Sequence, residues 1–306
     1  MTAVQRLTAE LDDLLDPGVE VEQLATGFTF TEGPIWHPAG GYLLFSDIPE
    51  SRRRRWSPTE GATIAHEPTN KSNGMTLDAA GNLVICEHAT SRVVLERPDG
   101  SQEILASHYR GRELNSPNDV IVAADGSIYF TDPTYGRREG AVGQLRDLQL
   151  AFRGVYRIAP GGAGSPELVV AEDEFGSPNG LCLSPDGATL YVDDTERGEV
   201  KAFAVAADGS LRSGRVFASG IGPHPTGSPD GMKCDERGNL WLTGPGGVWI
   251  LDPDGRHLGV LQVPEKTANL NWGGPDWREL YLTASTSLYR VATRVAGSHA
   301  SYMDVR

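Results

Sequence analysis

The chain has 306 residues, with 41 Asp and Glu against 27 Lys and Arg, a net charge of −14 when histidine is neutral. So acidic a chain excludes a protein that draws its affinity from nucleic-acid phosphates, and 39% hydrophobic residues with 8% aromatics exclude global disorder. No apolar run approaches the roughly 20 residues that cross a bilayer, and the opening MTAVQRLTAELDDLL lacks the apolar core of a secretory leader, so a cytoplasmic protein without membrane contact is expected.

In chain order, residues 3–15 place Leu7, Leu11, Leu14 and Leu15 at helical spacing, which predicts a short amphipathic N-terminal helix within an extension over residues 1–18. Residues 19–26 (VEVEQLAT) have strand character. A repeat then begins: a polar residue, a short strand, a turn with Asp or Gly, and a second strand ending in a small or acidic residue. Its copies open at Glu32, Asn73, Asn118, Asn179, Asp230 and Asn269, in steps of 41, 45, 61, 51 and 39 residues. The turns AAGN, ADGS, PDGA and ERGN supply the residues that tight hairpins need, and further strand-like runs (RVVLERPDG, GVYRIAPGG, GVWILDPDG) follow the copies. A period near 40–45 with several strands per unit is that of a β-propeller. The expected fold is therefore all-β, a six-bladed β-propeller forming one domain over residues 19–295, with a tail at 296–306. The two long steps predict insertions at 133–153 and 196–224, as loops or extended outer hairpins. A closed ring avoids an exposed strand edge, so residues 19–26 are expected to add the outer strand to the blade formed by 280–292.

Three signals carry no site. Cys86, Cys182 and Cys234 are far apart with no CxxC pair, so buried reduced thiols are expected and not a thiolate metal site. Arg52–Arg55 alternate along a strand and read as a solvated edge strand. GGAGSP and GIGPHP open no helix, so neither is a dinucleotide loop, and no GxSxG elbow or HExxH motif occurs.

The anchors are different. The innermost strands of a propeller line its channel, so residues that open them converge at one mouth. Six oxygen-bearing side chains there suit a hard divalent cation, calcium best, with magnesium, manganese or zinc as other candidates. Asn-Gly and Asp-Gly are also common turn dipeptides. Three anchors, however, follow Ser-Pro (116–118, 177–179 and 228–230), whose proline stiffens the lead-in, and Glu32 begins a strand. From the loops at this mouth, His88 in CEH, Asp119 and Tyr135 in DPTYG are expected to bind substrate hydroxyls. His224 in GPHPTG is a weaker loop candidate.

The phrases TEGPIWHP, NGMTLDAAGNLVICEH, LNSPNDVIVAADGSIYFTDPTYG, SPNGLCLSPDGATLYVDDT and SPDGMKCDERGNLWLT resemble the SMP-30/gluconolactonase/luciferin-regenerating family across nearly all of residues 25–290. The resemblance implies a six-bladed propeller with a divalent cation at the channel mouth, and its ligand pattern falls on Glu32, Asn118, Asn179 and Asp230. Asn73 and Asn269 would then line the pocket without binding the ion. Ser116-Pro117 stands where the animal members carry an arginine-bearing segment. It further implies a hydrolase that opens a sugar-acid lactone by Lewis-acid polarisation of the carbonyl and attack of water, with Asp230 as the base or nucleophile. The alternatives are a phosphotriesterase-like hydrolase and a non-catalytic calcium-binding scaffold. The small-molecule lactone is the expected partner, and monomer and homodimer are both compatible with the acidic surface.

Overall fold

Each copy of the repeat folds into one antiparallel sheet. The computed structural model describes residues 3–162 and 165–304. Ala163 and Gly164 of the GGAGSP stretch, and residues 1, 2, 305 and 306 of the two terminal extensions, lie outside the described residues. Blade 1 has strands Thr31–His37, Tyr42–Asp47, Arg52–Ser57 and Gly61–His66. Blade 2 has Ser72–Leu77, Leu83–Glu87, Arg92–Glu96 and Gln102–Ala106, and blade 3 has Val120–Val122, Ile128–Asp132, Gly154–Ile158 and Glu167–Leu168. Blade 4 consists of Pro178–Leu183, Thr189–Asp194, Glu199–Val205 and Leu211–Ser219. Blade 5 is built from Met232–Cys234, Leu240–Gly244, Gly247–Leu251 and His257–Gln262, and blade 6 from Thr267–Gly273, Glu279–Ala284 and Ser287–Ala292. The first strands touch in cyclic order from blade 1 to blade 6 and back, which closes the ring.

Closure uses the N-terminal segment, as its strand character predicts. Glu22–Thr26 pairs antiparallel with Ser287–Ala292 and becomes the outer strand of blade 6. The segment before it differs from the expected amphipathic helix. Val4–Arg6 adds a fifth strand to blade 5, and the helix that follows is a single 3₁₀ stretch, Ala9–Asp13. Leu11, Leu14 and Leu15 are buried, whereas Leu7 is exposed because the strand ends just before it. Pairing with the edge of blade 5 wins over helix formation for so short a segment, since an isolated helix of this length gains too few bonds to cover its nucleation cost.

The blades pack through apolar faces. Trp36 stacks on Tyr281 and Trp241 meets Trp272 edge-on, joining blade 1 to blade 6 and blade 5 to blade 6. Each such ring contributes a few kcal/mol by burial. The arginine strand is not an edge: Arg52–Ser57 lies between two strands of blade 1, Arg53 is buried against Glu96, and Arg54 pairs with Asp47. Alternation puts the arginines on two faces as expected, but both faces meet carboxylates. The cysteines are free and buried, with the Cys182 and Cys234 sulfurs 3.7 Å apart. The insertion at 133–153 is a loop with a 3₁₀ turn at Tyr135–Arg137, and much of the one at 196–224 is the long outer hairpin of blade 4.

Candidate active site

Three of the six anchors, Glu32, Asn73 and Asn179, share a backbone device. Strand pairing is interrupted by a register shift between Glu32 and Ile35, between Ser72 and Met75, and between Pro178 and Leu181. The residue after each of these anchors is glycine. A Cβ on Gly33 would lie 2.1 Å from the Asn73 carbonyl oxygen, and one on Gly180 would lie 1.9 Å from that of Asp230. These Asn-Gly and Glu-Gly pairs are therefore bulges that let a neighbouring blade's anchor backbone approach, not turns. Hydroxyls from second strands add to the ring: Ser46 Oγ donates to the Asn73 carbonyl at 2.8 Å and Thr131 Oγ1 to that of Asn179 at 2.7 Å.

The acidic ends of the second strands hold the rim. Asp47 accepts from the Thr29 and Phe30 amides, Asp132 from Asn115, and Asp194 from Gly176 and Ser177. Each carboxylate fastens the loop that leads into an anchor. At the anchors lies a cavity of about 460 Å³, whose lining includes Glu32, Asn73, Asn118, Asn179, Asp230, His88 and Tyr135.

Asn73, Asn118 and Asn179 form a chain of side-chain amides that continues from Asn179 Nδ2 to Thr195 Oγ1 at 3.0 Å, and from there to the Pro229 carbonyl at 2.7 Å. Glu32 is held from below: its Oε2 accepts from its own blade's Gly33 amide at 2.6 Å and from Asn269 Nδ2 at 3.0 Å. His88 is buried, which lowers its pKa and keeps the ring neutral. Its Nδ1 lies 3.0 Å from the Val142 carbonyl oxygen and its Nε2 3.0 Å from Asn118 Oδ1, so the single proton of the neutral ring can be donated to one of these two acceptors. Tyr135 accepts from Ser177 Oγ at 2.9 Å, and burial pushes its phenol up to about 12, so the proton stays on the oxygen.

Two expected substrate contacts lie elsewhere. Asp119 and Asn269 are not in the cavity wall but beneath its floor. Asn118 already faces the cavity, so the next residue along the extended chain turns away, and Asp119 accepts from the Val120 amide at 2.9 Å. Asn269 is occupied by Glu32 on one side and by the Leu270 amide, 2.8 Å from Oδ1, on the other. His224 sits on an exposed loop bonded to Thr226 and is not part of this wall. Sequence reasoning missed Phe30, Thr195, Ser228 and Lys266, which do line it. Thr195 directly follows the acidic end of a second strand and Ser228 lies two residues before an anchor, so their place in the repeat was the available signal.

The floor carries excess negative charge. Burial pushes the Glu32 carboxyl up to about 7 and the Asp230 carboxyl well above the usual range, the latter also raised by the Glu32 charge. Asp119 and Asp193, just behind, are raised too, first by burial. Lys266 lowers Asp230 and Lys233 lowers Asp119, but neither forms an ion pair with them. Asn73 Oδ1 is buried without a partner. Among the described residues no group of three or more His, Cys, Asp or Glu side chains is placed to hold a metal. The donors at this floor are two carboxylates and several amides, all oxygen-bearing, which fits a hard dication and not a soft one.

A six-bladed ring with a buried carboxylate–amide floor under an open mouth defines a small-molecule site. The model of the SMP-30/Gluconolactonase/LRE-like region matches residues 30–286, and the chain belongs to that family. It is 31% identical to the gluconolactonase of Zymomonas mobilis, over 96% of this chain and 87% of the relative. The solved structure of a gluconolactonase from Xanthomonas campestris superposes with a TM-score of 0.87 at 34% identity, covering 95% of this chain and 94% of that one. Regucalcin from Agrobacterium tumefaciens, a calcium-binding protein, shares the fold at a TM-score of 0.72 and 22% identity, over 91% of this chain and 95% of that one.

Proposed function

We propose that this chain hydrolyses sugar-acid lactones with one divalent cation, calcium by preference, held by Glu32, Asn118, Asn179 and Asp230. The observation that supports this most is the meeting of these four side chains on one cavity floor, in a chain related to named gluconolactonases. When bound, the cation supplies Lewis-acid polarisation of the lactone carbonyl and offsets the charge of the two carboxylates.

The remaining chemistry belongs to the chain's own groups. A lactone is an internal ester: water adds to the carbonyl carbon, the ring C–O bond breaks, and a hydroxy acid is released. Asp230 takes the proton of the attacking water at a carboxylate oxygen, held in place for that transfer, and the proton passes to the departing ring oxygen as the C–O bond breaks. Tyr135, whose oxygen already accepts from Ser177, keeps its own proton free for a substrate hydroxyl. His88, Thr195 and Ser228 supply further polar contacts, while Phe30, Ile48, Pro49 and Val142 form an apolar wall.

The test is opening of glucono-1,5-lactone before and after dialysis against a chelator, with calcium added back and with Asp230→Asn and Glu32→Gln alongside. Loss on chelation, recovery with calcium and loss in both variants support the reading. Full activity in the chelated protein contradicts the role of the cation. Calcium-dependent stability with no turnover of lactone or phosphotriester would make the propeller a scaffold instead.

A further inference from the structure

The chain contains four lysines. Lys71 Nζ donates to the Pro49 and Ala141 carbonyls, Lys201 pairs with Glu174, and Lys233 donates to the Met232 carbonyl. The Lys266 ammonium has neither an ion pair nor a hydrogen bond among the described residues, yet Lys266 lines the cavity together with Glu32 and Asp230. It is exposed, on the connection between the last strand of blade 5 and the first of blade 6, whereas Glu32, Asn73, Asn118 and Asn179 are buried and Asp230 is half-buried. Lys266 therefore marks the rim and the anchors mark the floor.

The neighbouring acid does not neutralise it. Glu265 is turned away and accepts from the Thr286 amide and hydroxyl at 2.8 Å, from Tyr289 OH at 2.9 Å, and from Ser287 Oγ. The carboxylates of the cavity wall are those of the floor, and Thr29, exposed at the same rim, and Ser228, buried below it, are uncharged. A substrate whose ester carbonyl reaches the floor extends its far end toward this free ammonium. A neutral polyol gains little there, while an anionic group gains a charge-assisted hydrogen bond.

We propose that Lys266 is a specificity residue that selects sugar lactones carrying an anionic substituent, a phosphate, sulfonate or carboxylate, at the end remote from the scissile ester. This rests on the lactonase reading above. The test compares 6-phosphoglucono-1,5-lactone with glucono-1,5-lactone in wild type, Lys266→Ala and Lys266→Arg, and measures 6-phosphogluconate binding by calorimetry in the same three proteins. The expected result is a preference of wild type for the phosphorylated lactone that falls at least about tenfold in Lys266→Ala, through KM, the size of one charged hydrogen bond. Lys266→Arg retains most of that preference, and 6-phosphogluconate binds more weakly to Lys266→Ala alone. An unchanged preference in Lys266→Ala overturns the proposal, as does an equal loss on both lactones through kcat, which would place the ammonium at the reacting carbonyl. If wild type opens neither lactone, the lactonase reading fails, and the calorimetry still decides whether Lys266 holds the anion: equal binding by wild type and Lys266→Ala overturns it.

Discussion

Glu32 of blade 1 and Asp230 of blade 5, nearly two hundred residues apart in the chain, meet on the wall of one cavity, where the Glu32 charge acts on the Asp230 carboxyl. Glu32 is buried and Asp230 half-buried; desolvation raises both carboxyls, Asp230 further through the Glu32 charge and Glu32 further through Asp119. Two buried like charges cost stability unless a cation sits between them. Glu32→Gln should therefore raise the melting temperature of chelated protein at pH 8 by a few degrees, while added calcium should stabilise wild type by mass action and the variant much less. Scanning calorimetry with chelator and with calcium checks both halves. A variant less stable than wild type in chelator would show that the pair is not repulsive.

Asn269 has no place in the cavity wall, yet its amide nitrogen fixes the Glu32 carboxylate at 3.0 Å. Groups that orient a metal ligand typically contribute 10–100-fold to metal affinity. Asn269→Ala should weaken calcium binding by roughly that factor while retaining the fold, as read by calorimetric titration and circular dichroism. Unchanged calcium affinity would remove Asn269 from the account.

The close approach of blades at the anchor glycines is equally testable. Gly33→Ala and Gly180→Ala would drive a methyl to 2.1 and 1.9 Å from carbonyl oxygens of the next blades. Overpacking of this kind costs roughly 3 kcal/mol, so both melting temperatures should fall by about 5 °C or more. Gly18→Ala, whose nearest neighbour would be Asp16 Oδ1 at 3.4 Å, should leave the melting temperature near that of wild type. Equal melting temperatures for all three variants would show that the ring tolerates a wider spacing.

Asp132 gives a pH signature away from the floor. Burial raises its carboxyl to about 7, against an ordinary value of 3.8. Its folded-state pKa lies above the unfolded one, so its unfavourable contribution is absent below about pH 4 and grows as pH rises to about 7. Asp132 Oδ2 accepts from the Asn115 amide at 2.9 Å, while Oδ1 is buried without a partner. Asp132→Asn keeps the acceptor and removes the charge. The fall in stability between pH 4 and 7, measured by urea unfolding, should be shallower in the variant, and identical slopes would contradict the raised pKa.

Much of the ring was legible because its repeat is written in the strands themselves: alternation, turn glycines and anchors recur at a propeller period, and the strand character of residues 19–26 announced the closure. What was not legible depends on tertiary partners. Val4–Arg6 reads as part of a helix until the edge of blade 5 is there to pair with it, and Arg53 reads as solvated until Glu96 faces it across blades. At the site, the anchor positions were visible, but the side to which Asp119 turns and the commitment of Asn269 to Glu32 were not, because a one-residue change of facing leaves no mark in composition. Lys266 lies in a connection with no repeat signal. Only the fold of the chain puts it on the wall of this cavity.

The most direct measurement is calorimetric titration of calcium into chelator-dialysed protein, wild type beside Asp230→Asn and Glu32→Gln, with lactone opening followed on the same samples. The account predicts one calcium site per chain whose occupancy parallels activity, and loss of both in each variant with the fold intact. Undiminished calcium binding in both variants, or lactone opening by wild type that never depends on the ion, would contradict it.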